Sequence, residues 1–140
     1  MEFDLLKGNF TKQDARNLNP LVLAFVGDAI YEIFVRAFIV SKNRKMNVHK
    51  LHVKAVSFVK AKDQSDLMKA LMDDLTDEEI NIYKRGRNAK SGTVPKNAVV
   101  GDYRSATGFE TLFGYLYLTE QNDRVNYFFE KIAQIKMGAK

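Results

Sequence analysis

The sequence predicts an all-α fold, and three observations lead to this class. Long segments repeat apolar residues at helical spacing, residues typical of helix starts precede those segments, and the short segment 98–100 is the one strand candidate. The chain has 140 residues, of which 46% are hydrophobic, enough for one domain with a sizeable core. We therefore expect a single helical domain that spans residues 1–140.

The first strong element is the apolar run 21–35. Asn19 and Pro20 predict where its helix begins, because Asn caps free backbone amides and Pro at the first helical position loses no hydrogen bond. We expect this central helix to end near Val40, and we expect a short helical turn at 11–15 before it.

An amphipathic stretch follows, in which apolar residues recur at helical spacing over 48–75 among several lysines. Asn47 can cap its start, and the stretch predicts one long helix or two. Thr76 and Glu79 form the pattern of a capping box, which predicts a further short helix through Tyr83.

The character of the chain then changes. Residues 84–96 are basic, contain two glycines and a proline, and lack an apolar period, so we predict a basic loop over about 84–101. A second apolar helix is expected from Asp102 or Tyr103 through Leu118, and a last amphipathic helix over 125–135.

Composition excludes several classes of protein. The chain has no cysteine, which rules out disulfides and thiolate metal sites and fits a cytoplasmic location. The N-terminal residues are too acidic for a signal peptide, and charged residues interrupt the longest apolar run, so we expect no membrane segment. The net charge of +5 suggests an anionic partner.

Two carboxylates lie beside small residues in the two apolar helices. Asp28 directly follows Gly27, and Glu110 precedes Gly114 by four residues, which places that pair on one helix face. If the helices cross at the glycines, both carboxylates could reach one site, where they would repel unless a proton or a metal lay between them. Oxygen ligands select hard cations such as Mg²⁺ or Mn²⁺.

The polar residues of this region also have structural explanations. Asp28 could form an ion pair with Lys54 or Arg104, and Glu110 could pair in the same way. Glu32 and Arg36 have the spacing of an ordinary ion pair along a helix. Two histidines three residues apart could bind a metal, but a solvated helix start explains them better. They are His49 and His52.

Three blocks of residues resemble ribonuclease III proteins. The segment 25–30, Phe-Val-Gly-Asp-Ala-Ile, resembles the family signature, and the segment 109–118 resembles its second acidic block. The segment 84–93 and the dipeptide Tyr103-Arg104 are similar to Mini-III, a short bacterial branch without a double-stranded-RNA-binding domain. The resemblance covers about residues 18–120 and implies a dimeric, helical ribonuclease III-type endonuclease domain.

The resemblance also implies roles for single residues. Asp28 and Glu110 fall on the two family carboxylates that hold the catalytic Mg²⁺, and Phe25 falls on an aromatic of the homodimer contact. Ala24 stands where longer members have Glu, and Thr107 where they have Asp, as in the Mini-III branch. These departures leave open whether one metal or two bind.

The basic loop is expected to contact RNA. Its cations can bind phosphates, and its glycines, Gly86 and Gly92, would let the backbone approach them; double-stranded RNA is recognised mostly by shape and charge. The RNA-binding candidates are Lys84, Arg85, Arg87, Asn88, Lys90, Lys96 and Arg104.

These observations predict an endoribonuclease for double-stranded RNA. The resemblance implies the 23S ribosomal RNA precursor as substrate and a large-subunit ribosomal protein as a partner that presents it. The first alternative is a non-catalytic RNA-binding or ribosome-assembly module on the same fold, favoured by the missing Glu and Asp. The second is an all-α interaction domain without any role on RNA, which predicts no affinity for duplex RNA.

Overall fold

The computed structural model describes residues 9–90, 94, 96 and 99–138, and within these ranges the chain is helical without a β-strand. This confirms the predicted all-α class. The helices are α1 (Lys12–Arg16), α2 (Pro20–Lys42), α3 (Val48–Val59), α4 (Ala61–Leu71), α5 (Asp77–Arg87), α6 (Val100–Leu118) and α7 (Asn122–Gly138), with a 3₁₀ turn at Met72–Asp74.

Helices α2 and α6 form the centre of the bundle and cross at two glycines. A Cβ atom on Gly27 would lie 1.7 Å from the carbonyl oxygen of Glu110, and one on Gly114 would lie 1.9 Å from the carbonyl oxygen of Leu23. Any side chain at either position would therefore collide with the backbone of the other helix. The predicted crossing is confirmed.

Aromatic side chains fill the core on one side of this crossing. The Tyr31 ring meets the Phe109 ring edge-on at 4.9 Å, which joins α2 to α6. The Phe113 ring stacks on Phe129 of α7 at 5.1 Å. Tyr31, Phe109 and Phe113 are fully buried. Rings packed at these distances add to the free energy that burial of their area already supplies.

Side chains predicted to cap helices do so. The Asn19 side chain accepts from the Leu21 amide at 2.8 Å, and Asn47 caps α3. Thr76 forms the predicted capping box at the start of α5. Of the two alternatives predicted for the stretch 48–75, the structure has two helices, because Lys60 adopts an extended conformation between them.

The predicted basic loop is wrong at both ends. Helix α5 continues through Arg87, so Lys84, Arg85 and Arg87 belong to its last turn, and α6 begins at Val100. The one strand candidate, 98–100, is not a strand at its last two residues, since Val99 precedes α6 and Val100 is its first residue. Residue 98 lies outside the described part of the chain.

Gly86 lies where α5 packs closely against α6. It is buried against α6, where an added Cβ would lie 2.2 Å from the Thr111 hydroxyl oxygen and 2.9 Å from the Gly108 Cα. The prediction that Gly86 frees the backbone for phosphate is therefore wrong; this glycine permits close helix packing. Gly92 lies outside the described residues.

A buried ion pair fastens α7 to the start of α5. Arg124 donates to both carboxylate oxygens of Glu79, at 2.8 and 2.7 Å, and also to the carbonyl of Asp74 at 2.9 Å. Glu79 is almost fully buried and also accepts from the Thr76 amide. The capping-box pattern identified Glu79, but nothing in the local sequence pointed to Arg124.

Within the described ranges, no helix is long and apolar enough to cross a membrane.

Candidate active site

The crossing of α2 and α6 brings Asp28 and Glu110 together. Gly27 touches the backbone of Glu110, so the residue after Gly27 lies beside the Glu110 side chain, and the two carboxyl groups share a hydrogen bond. Glu110 is half-buried, whereas Asp28 is exposed. The pair therefore lies at an open edge of the core, where a large substrate can reach it.

The environment of Glu110 disfavours its charge. The pKa of Glu110 is raised to about 8, mainly by burial and then by the negative charge of Asp28 and the hydrogen bond to it, with a smaller effect from Glu32. A hydrogen bond from Gln64 acts in the opposite direction. Without a cation, Glu110 is mostly protonated at neutral pH and donates its proton to the Asp28 carboxylate.

A divalent cation fits this pair of carboxylates. A cation between them would replace the shared proton and remove the repulsion that raises the Glu110 pKa. The described residues contain no group of three or more His, Cys, Asp or Glu side chains placed to hold a metal. The remaining ligands would then be water and substrate oxygens, as is usual for Mg²⁺.

The structural ion pairs considered for the two carboxylates do not form. Within the described part of the chain, neither Asp28 nor Glu110 has a basic group within ion-pair distance, Lys54 and Arg104 included. The predicted pair along α2 does form, with Arg36 Nε 3.1 Å from Glu32 Oε2.

The two departures from the longer enzymes have clear structural roles. Ala24 is buried and offers no ligand. The Thr107 hydroxyl donates to the Tyr103 carbonyl at 3.0 Å, and the Thr107 carbonyl accepts from Thr111 at 2.7 Å. Thr107 keeps a lone pair on its hydroxyl oxygen, but its proton is bonded within the helix.

Gln64 of α4 is a member of the site that the sequence reading missed. It is 2% exposed, it hydrogen-bonds the Glu110 carboxyl, and its Nε2 donates to the Val59 carbonyl at 3.3 Å. A signal was present in the sequence, because Gln64 lies three and four residues before Leu67 and Met68, on the face of α4 that is buried.

The basic candidates lie in the last turn of α5, in the segment that follows it and in α6. Arg85 donates to the Leu18 carbonyl at 3.4 Å, and Arg87 donates to Asn88 at 3.2 Å and lies over the Tyr83 ring. The exposed cations among the candidates are Lys84, Lys90, Lys96 and Arg104. The two histidines of α3 are exposed, as a solvated helix start predicts; they are His49 and His52.

Phe25 lies on the outer face of α2, one turn before Asp28. It is 80% exposed, and Val22 and Ile33 on the same face are 46% and 43% exposed. An aromatic side chain this exposed is unusual on a surface that stays in water. The position agrees with the predicted dimer contact, which stays a prediction.

Comparisons with known proteins support the resemblance found in the sequence. The Ribonuclease III domain family matches residues 21–121. A Mini-ribonuclease 3 of Clostridium tetani is 55% identical over 83% of this chain and 77% of its own length, and one of Enterococcus faecalis is 50% identical over 87% and 96%.

A crystal structure of a protein from Fusobacterium nucleatum has the same fold. It superimposes with a TM-score of 0.78 at 31% identity and covers 88% of this chain and 98% of its own. The family match spans both carboxylates, and the curated relatives share most of the chain. The chain therefore belongs to the ribonuclease III family, in its Mini-ribonuclease 3 branch.

Proposed function

We propose that this chain is a metal-dependent endoribonuclease that cleaves double-stranded RNA. Membership of the ribonuclease III family supports an RNA endonuclease. The single observation that carries the metal dependence is the pairing of Asp28 with Glu110, whose pKa of about 8 reflects burial and a facing carboxylate. Such a pair is unfavourable while both groups are charged, and a cation between them relieves the repulsion.

Asp28 and Glu110 would hold Mg²⁺, for which Mn²⁺ is a possible substitute. A metal bound there would supply two effects, a lower pKa for its water and stabilisation of charge on the phosphate. Glu110 must first release its proton to bind the cation. Ala24 and Thr107 add no carboxylate, which leaves room for water and RNA phosphate around the metal.

Exposed cations near the end of α5 would bind the RNA backbone. Because the groove of duplex RNA that proteins can reach presents mainly phosphates and 2′-hydroxyls, contacts from flexible lysines suffice without reading bases. Lys84 and Lys90 are exposed here, and Arg104 is exposed near the start of the helix that carries Glu110. The proposed set also includes Arg85, Arg87, Asn88 and Lys96.

We further propose a homodimer that acts on the 23S ribosomal RNA precursor in the cytoplasm. Two copies joined through the face around Phe25 would set one site against each strand of a duplex. That face lies one turn from Asp28, so dimerisation and catalysis share a helix. A large-subunit ribosomal protein could present the RNA.

The first experiment compares cleavage of a long duplex RNA by the wild type, Asp28→Asn and Glu110→Gln in Mg²⁺, Ca²⁺ and EDTA. We expect Mg²⁺-dependent cleavage by the wild type and at least a 100-fold lower rate in both variants, with duplex binding retained in gel shifts. Asp66→Asn is the matched control, since Asp66 is an exposed carboxylate whose one ion pair among the described residues is with Lys62.

Other outcomes identify the alternatives. Duplex binding without cleavage in any metal, tested also on a ribosomal precursor stem, would favour the assembly module. The absence of Glu and Asp at the positions of Ala24 and Thr107 is the observation that favours that alternative. If the protein shows no affinity for duplex RNA at low salt, the result would favour the second alternative, an interaction domain without a role on RNA.

A further inference from the structure

We propose that Gln64 is a positioning residue that fixes the Glu110 carboxylate for metal binding. The inference rests on the proposed function, because it concerns the metal that Asp28 and Glu110 would share. It assigns a role in the site to α4, a helix that contributes neither of the two carboxylates.

The hydrogen bonds of the Gln64 amide support this role. Its Nε2 has two N–H groups; one donates to the Val59 carbonyl at 3.3 Å, and the Glu110 carboxyl takes the other. Val59 is the last residue of α3, so its carbonyl has no partner within that helix. The amide is therefore anchored to the α3–α4 junction on one side and directed at Glu110 on the other.

The other end of the amide is unsatisfied. Gln64 is 2% exposed, and its Oε1 has no hydrogen-bond partner in the described part of the chain. A buried acceptor of this kind is rare in native proteins and calls for a partner outside the protein's own groups. Water held by a metal at Asp28 and Glu110 would supply the donor that Oε1 lacks.

A second anchor fixes the start of α4. Asp63, the residue before Gln64, pairs with Lys136 of α7, whose ammonium group also lies over the Phe58 ring at 4.7 Å. Gln64 is thus held between two ordered contacts, the Val59 carbonyl behind it and the ion pair beside it. Partners that orient a metal ligand usually change metal affinity by 10- to 100-fold when they are removed.

The test measures metal binding directly, without RNA. Calorimetric titration with Mn²⁺ is compared for the wild type, Gln64→Leu and Ser65→Ala, with Glu110→Gln as the baseline without a site. Ser65 is the matched control, because it is equally buried on α4 but, within the described part of the chain, its side chain forms no hydrogen bond to either carboxylate. We expect a 10- to 100-fold weaker Kd for Gln64→Leu and no change for Ser65→Ala.

A shorter amide keeps the test decisive if Gln64→Leu fails to fold. Gln64→Asn stays polar but is one methylene too short to reach both Val59 and Glu110, so we expect a folded protein with the same loss of Mn²⁺ affinity. Unchanged Mn²⁺ affinity in a folded variant overturns the role of Gln64 while the proposed function stands. Absence of Mn²⁺ binding by the wild type overturns both.

Discussion

At the scale of single residues, Glu110 makes the stability of the metal-free protein depend on pH. Its pKa is about 8 when folded, against 4.5 for the ordinary carboxyl, so the folded state binds more protons between these values. The stabilisation is fully present below about pH 4.5 and is lost as pH rises through 8. In EDTA, we expect the free energy of unfolding, measured with denaturant, to fall by on the order of 2 kcal/mol between pH 5 and 8.5. This is less than the full pKa shift of Glu110 would give, because the site is open to solvent.

Glu110→Gln is the informative variant, since an amide cannot titrate. Its free energy of unfolding should be nearly flat over the same pH range, whereas Asp66→Asn should keep the wild-type slope. Equal slopes in all three proteins would show that Glu110 titrates normally in the folded state.

The same scale shows which site residues a sequence can reveal. Asp28 and Glu110 were predictable, because a carboxylate beside a glycine in an apolar helix breaks a local rule. Gln64 was missed, since its role depends on where α4 packs. Gly86 was misread for a similar reason: glycine in a basic segment suggests a loop, and only the contact with Thr111 reveals a helix interface.

At the scale of helices, the crossing of α2 and α6 should not tolerate a side chain. Gly27→Ala places a Cβ 1.7 Å from a backbone oxygen, and the two helices must separate to make room for it. We expect the free energy of unfolding, measured in urea, to fall by on the order of 3 kcal/mol or more. Gly101→Ala is the control, because nothing lies within 4 Å of its Cβ position. That change should be neutral or stabilise by about 0.5–1 kcal/mol.

Helix starts that carry a capping side chain were predictable, whereas the end of α5 and the break between α3 and α4 were not. Caps at Asn19, Asn47 and Thr76 mark their helices with hydrogen bonds that depend only on neighbouring residues. The end of α5 depends on packing against α6, which local composition does not encode. The break at Lys60 likewise separates two helices whose apolar periods join smoothly in the sequence.

At the scale of the whole molecule, the exposed face of α2 predicts a dimer. Burying Phe25, now 80% exposed, would contribute about 1.5–3 kcal/mol per copy. Light scattering after size exclusion should give a dimer for the wild type at micromolar concentration and a monomer for Phe25→Asp. Met137→Asp, at a 58% exposed apolar position near the end of α7, should remain dimeric. A monomeric wild type would count against cleavage of both strands by paired sites.

Because main chain touches main chain where α2 and α6 cross, no side chain sets the gap between the two helices. The backbone contact limits how closely the two helices approach, and the spacing of Asp28 and Glu110 follows from it. Exchange of a core residue such as Phe109 for another apolar type should then lower the stability of the fold without changing the spacing of the two carboxylates. That spacing depends instead on Gly27 and Gly114, where any Cβ would push the two helices apart.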